Sequence, residues 1–162
     1  VNFEDHSLEI TPQILEEAQK MADELPVLNH SIRKGEGTIY GFLGEIIFRT
    51  LVGGEQQNTY DYDIVMASGM RVDVKTKMVN SIPQPHYDCS IASGHTQQAC
   101  DIYSFVRVME DKSKGWYVGS ILKEDFFRKA RFVKKGDVDK SNNWKAKADC
   151  YNLQIKELGV RL

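Results

Sequence analysis

Tyr60-Asp61-Tyr62-Asp63-Ile64-Val65-Met66-Ala67-Ser68-Gly69-Met70-Arg71-Val72-Asp73-Val74-Lys75-Thr76-Lys77 is the stretch on which the fold turns. Two apolar half-strands flank Ser68-Gly69. In a strand, residues two apart share a face. Val72 and Val74 therefore point one way, and Arg71, Asp73 and Lys75 the other. Asp61, Asp63 and Val65 share a face in the same sense, opposite Tyr62, Ile64 and Met66. The spacing predicts a β-hairpin whose turn spans Ser68-Gly69 or the wider Ala67–Met70. If the apolar faces align on the core, the acidic faces align too, and Asp63 and Asp73 approach each other at the splayed end.

Just upstream, 38–52 reads as a helix. Ile39, Tyr40, Phe42, Leu43, Ile46, Ile47, Phe48 and Leu51 leave little of its circumference polar, so it is expected to be buried. Gly53-Gly54 ends it. Glu45 stands in the middle of this apolar cylinder, and a buried carboxylate needs a partner. Two expectations compete: an ion pair with Arg49 one turn on, or a position facing a metal site. Further upstream, Thr11-Pro12 opens an amphipathic packing helix, with Ile14, Leu15, Ala18, Met21, Ala22 and Leu25 at helical spacing and Pro26 closing it. A polar loop spans 29–37.

Downstream, Ser81–Pro85 is loop or edge. Tyr87, Cys89 and Ile91 alternate as a strand, and 95–100 forms a short helix or turn. Ile102–Met109 is a strand rich in β-branched and aromatic residues. Trp116–Leu122 is another, and Lys123–Ala130 a helix burying Phe126 and Phe127. A last short strand includes Leu153 and Ile155. These elements describe an α/β fold with a mixed central sheet, flanked by helices and with the C-terminal segment elaborating an edge. The 162 residues suit one domain, 1–162, with a core over about 38–109 and an elaboration over 110–162.

Composition narrows the classes. Apolar and charged fractions of 41% and 27% are those of a globular chain. No apolar run is long enough to cross a membrane, and Val-Asn-Phe-Glu-Asp-His at the start has no basic-then-apolar leader pattern. Cys89, Cys100 and Cys150 are too widely spaced for a zinc knuckle or disulfide framework and are expected as free thiols. His6, His30, His86 and His95 have no metal-ligand spacing, and no glycine-rich phosphate loop exists. The chain's total charge is −2, but residues 123–147 hold nine Lys/Arg against four Asp/Glu, a local +5 that leaves −7 elsewhere. Such a segment either is a solvated surface or draws phosphates to one face.

Magnesium prefers hard oxygen ligands, one or two carboxylates among them. Asp63 and Asp73 supply carboxylates, the Val74 carbonyl adds a third oxygen, and Glu45 joins from the helix. Two buried like charges force one pKa upward unless a cation intervenes. Lys75, on the face of Asp73, is placed to stabilise negative charge on a reacting phosphate. Lys77 faces the same way, toward phosphate, and Lys134 and Lys135 of the loop-rich basic segment are further candidates for nucleic-acid contact.

The order Glu45, then Asp63, then Asp73-Val74-Lys75, on a helix and two adjacent strands, resembles the PD-(D/E)XK nuclease superfamily of restriction-endonuclease-like folds. The resemblance covers roughly residues 38–109. It implies that Glu45, Asp63, Asp73 and Lys75 are catalytic, and that Mg²⁺, with Mn²⁺ able to substitute, is held by Glu45, Asp63, Asp73 and Val74. Some branches carry a glutamine on a helix after the lysine, which points to Gln98 or Gln97. The chain departs from the pattern in having Tyr62 where proline is usual and Asp73 where glutamate is commoner. Asp61 rivals Asp63, which is preferred because it leads directly into Ile64-Val65-Met66. The implied activity is Mg²⁺-dependent hydrolysis of DNA phosphodiester bonds by a cytoplasmic monomer or homodimer, in the host cytoplasm if the chain is phage-encoded. The competing functions are a catalytically silent nucleic-acid-binding module and a structure-selective junction resolvase, which requires a dimer.

Overall fold

The computed structural model describes residues 2–24, 36–57, 59 and 61–162. After a 3-10 turn at Phe3–His6 come strand β1 (Ser7–Glu9) and helix α1 (Pro12–Glu24). Thr11 caps α1 as its sequence position requires, its Oγ1 accepting from the Ile14 N–H at 3.2 Å. Helix α2 (Glu36–Leu51) starts two residues earlier than its apolar pattern indicates. It stops before Gly53 and Gly54, whose φ values of +118° and +95° suit glycine. Leu25, Pro26, Tyr60 and most of the 29–37 loop lie outside the described residues.

Strands β2 (Glu55–Gln56), β3 (Ile64–Val65) and β4 (Arg71–Val79) follow, then β5 (Asp88–Ala92), β6 (Ile102–Met109) and β7 (Lys114–Leu122). Helix α3 (Lys123–Lys129) leads to β8 (Arg131–Val133), β9 (Val138–Asp139), β10 (Trp144–Lys145) and β11 (Cys150–Gln154). The result is a mixed α/β fold. Its six-stranded sheet has the order β1-β7-β6-β4-β3-β2, with β4 and β6 parallel and the other pairs antiparallel.

The hairpin is real but lopsided. Met66 N–H bonds to the Met70 carbonyl at 2.9 Å and closes the wider of the two expected turns. Only Ile64 and Val65 form the first strand, so Asp61 and Asp63 precede the ladder instead of alternating within it. Val72 and Val74 do face one core, and Asp73 and Lys75 the opposite side. Against the Val72–Val74 face lies α2, whose Leu43, Ile46, Ile47 and Phe48 are at most 2% exposed. Each such side chain contributes about 1.5–3 kcal/mol relative to exposure, enough in sum to carry one carboxylate into the interior with the helix.

Gly44 sets how closely that helix sits. A Cβ there would lie 1.8 Å from Thr76 Oγ1, so only glycine lets α2 approach β4 at this distance.

The C-terminal segment corrects the sequence-based expectation. Its first strand, β7, does join the central sheet, between β6 and β1, but after β7 only the bridge from Ser120 to Val160 reaches that sheet. Instead β11 pairs with β5 and β8 in a separate three-stranded antiparallel sheet, and β9 with β10 in a small ribbon. Ile155 falls in a 3-10 turn after β11, outside the strand predicted to hold it. The second sheet and α3 cover the face opposite α2, burying Cys89, Ile91, Tyr103, Phe105, Phe126 and Leu153. All three cysteines are free and buried. Among the described residues no helix is long and apolar enough to cross a membrane.

Candidate active site

Parallel pairing of β4 with β6 forces the chain between them to return to the start of β4 before it can run alongside. The return path is the segment 80–101, and the register pairs Val72 with Ile102 and Asp73 with Tyr103. Residues just upstream of Ile102 must therefore arrive beside Asp73. Gln98 does: its Nε2 donates to Asp73 Oδ1 at 3.3 Å, and its Oε1 accepts from Lys75 Nζ at 3.0 Å. Gln98 is buried, but it stands in the turn after a 3-10 helix at Ser93–His95 and not on a longer helix. Gln97 is exposed.

Lys75 Nζ also lies 2.8 Å from Asp73 Oδ2, an ion pair with Asp73 almost fully buried. Its angles do not make a hydrogen bond, so Oδ2 has no aligned donor. A third neighbour is His95 Nδ1, 3.3 Å from the same ammonium. Burial, and then the Lys75 charge, lower the His95 pKa. The ring is thus neutral at pH 7, and Nδ1 accepts from the ammonium.

Asp63 reaches β4 from the other side of the strand's backbone. Beyond the two-residue β3 the ladder stops, and Asp63 Oδ2 accepts the Val74 N–H at 2.8 Å where a neighbouring strand would have continued. The Asp63 N–H itself bonds to the Val72 carbonyl at 2.9 Å. In a strand, the N–H and C=O of one residue point to the same side, so the Val74 carbonyl opens toward Asp63. Burial first, and the Asp73 charge second, push the Asp63 pKa up to about 7.

Glu45 completes the row. It is 6% exposed and hydrogen-bonds with Gln56, whose Nε2 donates to Oε1 at 2.8 Å. Arg49 is engaged elsewhere, with Glu17 at 2.7 Å, which removes the expected i,i+4 pair. Burial raises the Glu45 pKa well above the usual carboxylate range. The Asp63 charge and a hydrogen bond with Asp63 add to the rise, and Asp73 adds less. The four groups thus run Glu45, Asp63, Asp73, Lys75, with Asp63 between the helix and the strand.

The donor set is one of hard oxygens, with the Asp63 charge raising the Glu45 pKa, the Asp73 charge raising that of Asp63, and one buried carboxylate oxygen lacking an aligned donor. That chemistry fits a divalent cation. Among the described residues, however, no three His, Cys, Asp or Glu side chains converge as a formed metal cage. Asp63 is turned onto Val74 N–H, Glu45 onto Gln56, and Asp73 onto Lys75 and Gln98.

Sequence reasoning passed over Gln56, His95 and Lys123. Gln56 follows the glycine pair that ends α2, and His95 lies in the return segment. Lys123 Nζ donates to the Gln98 carbonyl oxygen and fixes that turn. His95 and Lys123 would have been visible only once the parallel crossover was known, and Gln56 only once β2 was paired with β3. Asp61 sits beside the site and not in it, its Oδ1 accepting the Ala99 N–H at 3.0 Å. Lys77 is exposed on β4, two residues beyond Lys75. Lys134 and Lys135 lie in the turn after β8, where the Lys135 N–H donates to Asp149 at 2.7 Å, and neither lines the hollow that holds Lys77. Comparison of the sequence with models of known protein families gives no match, and comparison with curated proteins gives none either.

Proposed function

We propose that this chain is a Mg²⁺-dependent phosphodiesterase that hydrolyses DNA, on a restriction-endonuclease-like variant of the mixed α/β fold. One observation carries the reading: three buried or half-buried carboxylates from one helix and two adjacent β arms sit in mutual electrostatic contact, beside an ammonium 2.8 Å from the third. A purely structural cluster has no need of three carboxylates against one lysine, because burying them destabilises a fold unless a cation or bound protons neutralise them.

The residues that would hold the metal are Glu45, Asp63, Asp73 and the Val74 carbonyl. When bound, the cation supplies Lewis-acid stabilisation and lowers the pKa of water. The chain does the rest. Lys75, held 2.8 Å from Asp73 Oδ2, presents its ammonium toward a phosphate arriving from solvent. Gln98 holds Lys75 and Asp73 in one orientation by bonding to both. His95, neutral, accepts from the ammonium without competing for the phosphate.

The test is a panel of labelled DNA and RNA, single- and double-stranded, with Mg²⁺, Mn²⁺ or EDTA. Asp73→Asn and Lys75→Ala are each expected to reduce metal-dependent cleavage by 10²-fold or more, with unchanged circular dichroism. Cleavage by both variants at the wild-type rate would sink the reading.

A second reading draws on the missing metal cage among the described residues: a nuclease-like fold that binds nucleic acid without cutting it. Calorimetric titration with Mn²⁺ separates the two. The hydrolase takes up Mn²⁺ and loses that binding in Asp63→Ala, whereas the silent module shows no uptake in either protein.

A further inference from the structure

The face of β4 that carries Asp73 and Lys75 continues to Lys77, and across the parallel ladder Lys77 pairs with Arg107. Two adjoining hollows of about 780 and about 240 Å³ lie over this face. They share Lys77, Arg107 and Trp144 as walls, and the smaller reaches Lys75. Arg107 is buried, yet its Nη2 donates to the Asp88 carbonyl oxygen at 2.7 Å and not to a carboxylate. Among the described residues neither Lys77 nor Arg107 forms an ion pair. Burial, and next the Arg107 charge, hold Lys77 below the usual lysine range. Two cations thus face each other in the groove, and Asp88, which borders both hollows, forms an ion pair with neither. The one acidic side chain there, Asp88, is consumed by Arg131 at 2.9 Å and by Asn142.

Trp144 stands over the same groove, on the β9–β10 ribbon, and is 40% exposed. A free ribbon of two short strands is marginal, but this one is pinned. Arg131 bridges Asp88 and Asp139, Asn152 donates to Asp139 at 2.9 Å, and Asn142, which donates to Asp88, also accepts the Trp144 N–H at 2.9 Å. A partly buried polar network thus holds the backbone that carries this exposed indole beside a row of cations that leads to Lys75.

We infer that this groove holds an unpaired nucleic-acid strand, with phosphates on Lys77 and Arg107 and a base stacked on Trp144, so that the substrate enters the candidate active site as a single strand. The inference rests on the phosphodiesterase reading for its direction toward Lys75. Charge complementarity selects a polyanion, and the indole selects one with flat apolar faces. A base stacked on an indole has left its duplex, which points to a strand that is already single or locally opened.

The chain has two tryptophans, and Trp116 is only 2% exposed, so changes in indole emission report on Trp144. The measurement is a titration of the whole protein, in EDTA at low salt, with oligothymidylate of about 12 nucleotides, a duplex of equal length and polyglutamate. Oligothymidylate is expected to quench emission, and duplex of equal concentration to quench it several-fold less. Trp144→Phe is expected to remove the quench while keeping binding within about 3-fold, and Trp144→Ala to weaken binding about 10-fold or more. Lys77→Ala is expected to weaken binding and to reduce its salt dependence by about one counterion. No quench by oligothymidylate, equal binding by Trp144→Ala, or an equal response to polyglutamate would overturn the inference. Because metal is absent, the outcome is independent of cleavage. Quenching without any metal-dependent cleavage refutes the hydrolase and leaves the groove, whereas cleavage without quenching refutes the groove alone.

Discussion

Asp63 is the residue at which the site's electrostatics become measurable. Its pKa of about 7 lies above the ordinary aspartate value near 3.9. The folded state therefore holds a proton that the unfolded chain releases between those values. Stability is lost as pH rises through that window, by up to ~1.4 kcal/mol per pH unit for one proton. Glu45, also raised, acts in the same direction. Against the cost of burial, hydrogen bonds from Asn152, Ser141 and Arg131 hold Asp139 well below the usual range, so its contribution changes at more acid pH. His95, lowered by burial and Lys75, tilts the window the other way, which makes the comparison with a variant decisive. Urea midpoints in EDTA at pH 5 and pH 7.5 are expected to fall with pH in the wild type and to fall less in Asp63→Asn. Equal slopes would show that Asp63 is not the protonated group. At this scale the sequence was legible where chemistry and period coincide. Asp73 and Lys75 share a face because strands alternate. Asp63 and Asp61 could not be separated by alternation, because residues two apart share a face; a hydrogen bond to Val74 N–H distinguishes them.

Between elements, the contact that matters most is α2 on β4. A methyl group on Gly44 would collide with Thr76 Oγ1 at 1.8 Å and with Thr76 Cβ at 2.8 Å. Thr76 is β-branched and stiff, so the helix itself must yield. Gly44→Ala is expected to destabilise the fold by about 1–3 kcal/mol in chemical denaturation, and Thr76→Ala in the same chain to restore part of that. No loss in Gly44→Ala, or no recovery in the double variant, would show that the approach is looser. Strands with strong local composition, such as Ile102–Met109, were readable to the residue. The first arm of the hairpin was not, because an Asp side chain replaces the ladder after two residues. The three-stranded sheet was also hidden. Its pairing of Cys150 with Ala92 and Gln154 with Asp88 joins segments far apart in sequence, and such pairing leaves no local period to detect.

For the molecule as a whole, the second sheet packs on the central one through an apolar core, and the ribbon is held to that second sheet by a polar clamp. Arg131 bridges β5 and β9 through Asp88 and Asp139, tying the ribbon to the second sheet. Replacing it with methionine leaves two acidic groups without their cation. Arg131→Met is expected to cost about 1–3 kcal/mol and to hasten limited proteolysis within residues 134–149, with α2 and the central sheet still protected. Uniform cleavage along the chain would mean that the ribbon is no separate unit. The charge balance of the basic segment hinted at a working face, but Arg131, one of its nine cations, is spent on the buried carboxylates of Asp88 and Asp139. A tally of charges has no means of telling an internal clamp from a surface.

The parallel junction of β4 with β6 also dictates an order of events. Helix α2 and the hairpin are close in sequence and can associate early. The β4–β6 ladder must first close the intervening loop, an entropic delay that slows such pairings. Glu45, Asp63 and Asp73 are thus expected to gather before Gln98 and Lys123 reach them, so that the nascent site first forms without those two braces. Pulse-labelled hydrogen exchange during refolding is expected to find the amides of α2 protected before those of β6. Simultaneous protection would show that the crossover closes as fast as the helix docks.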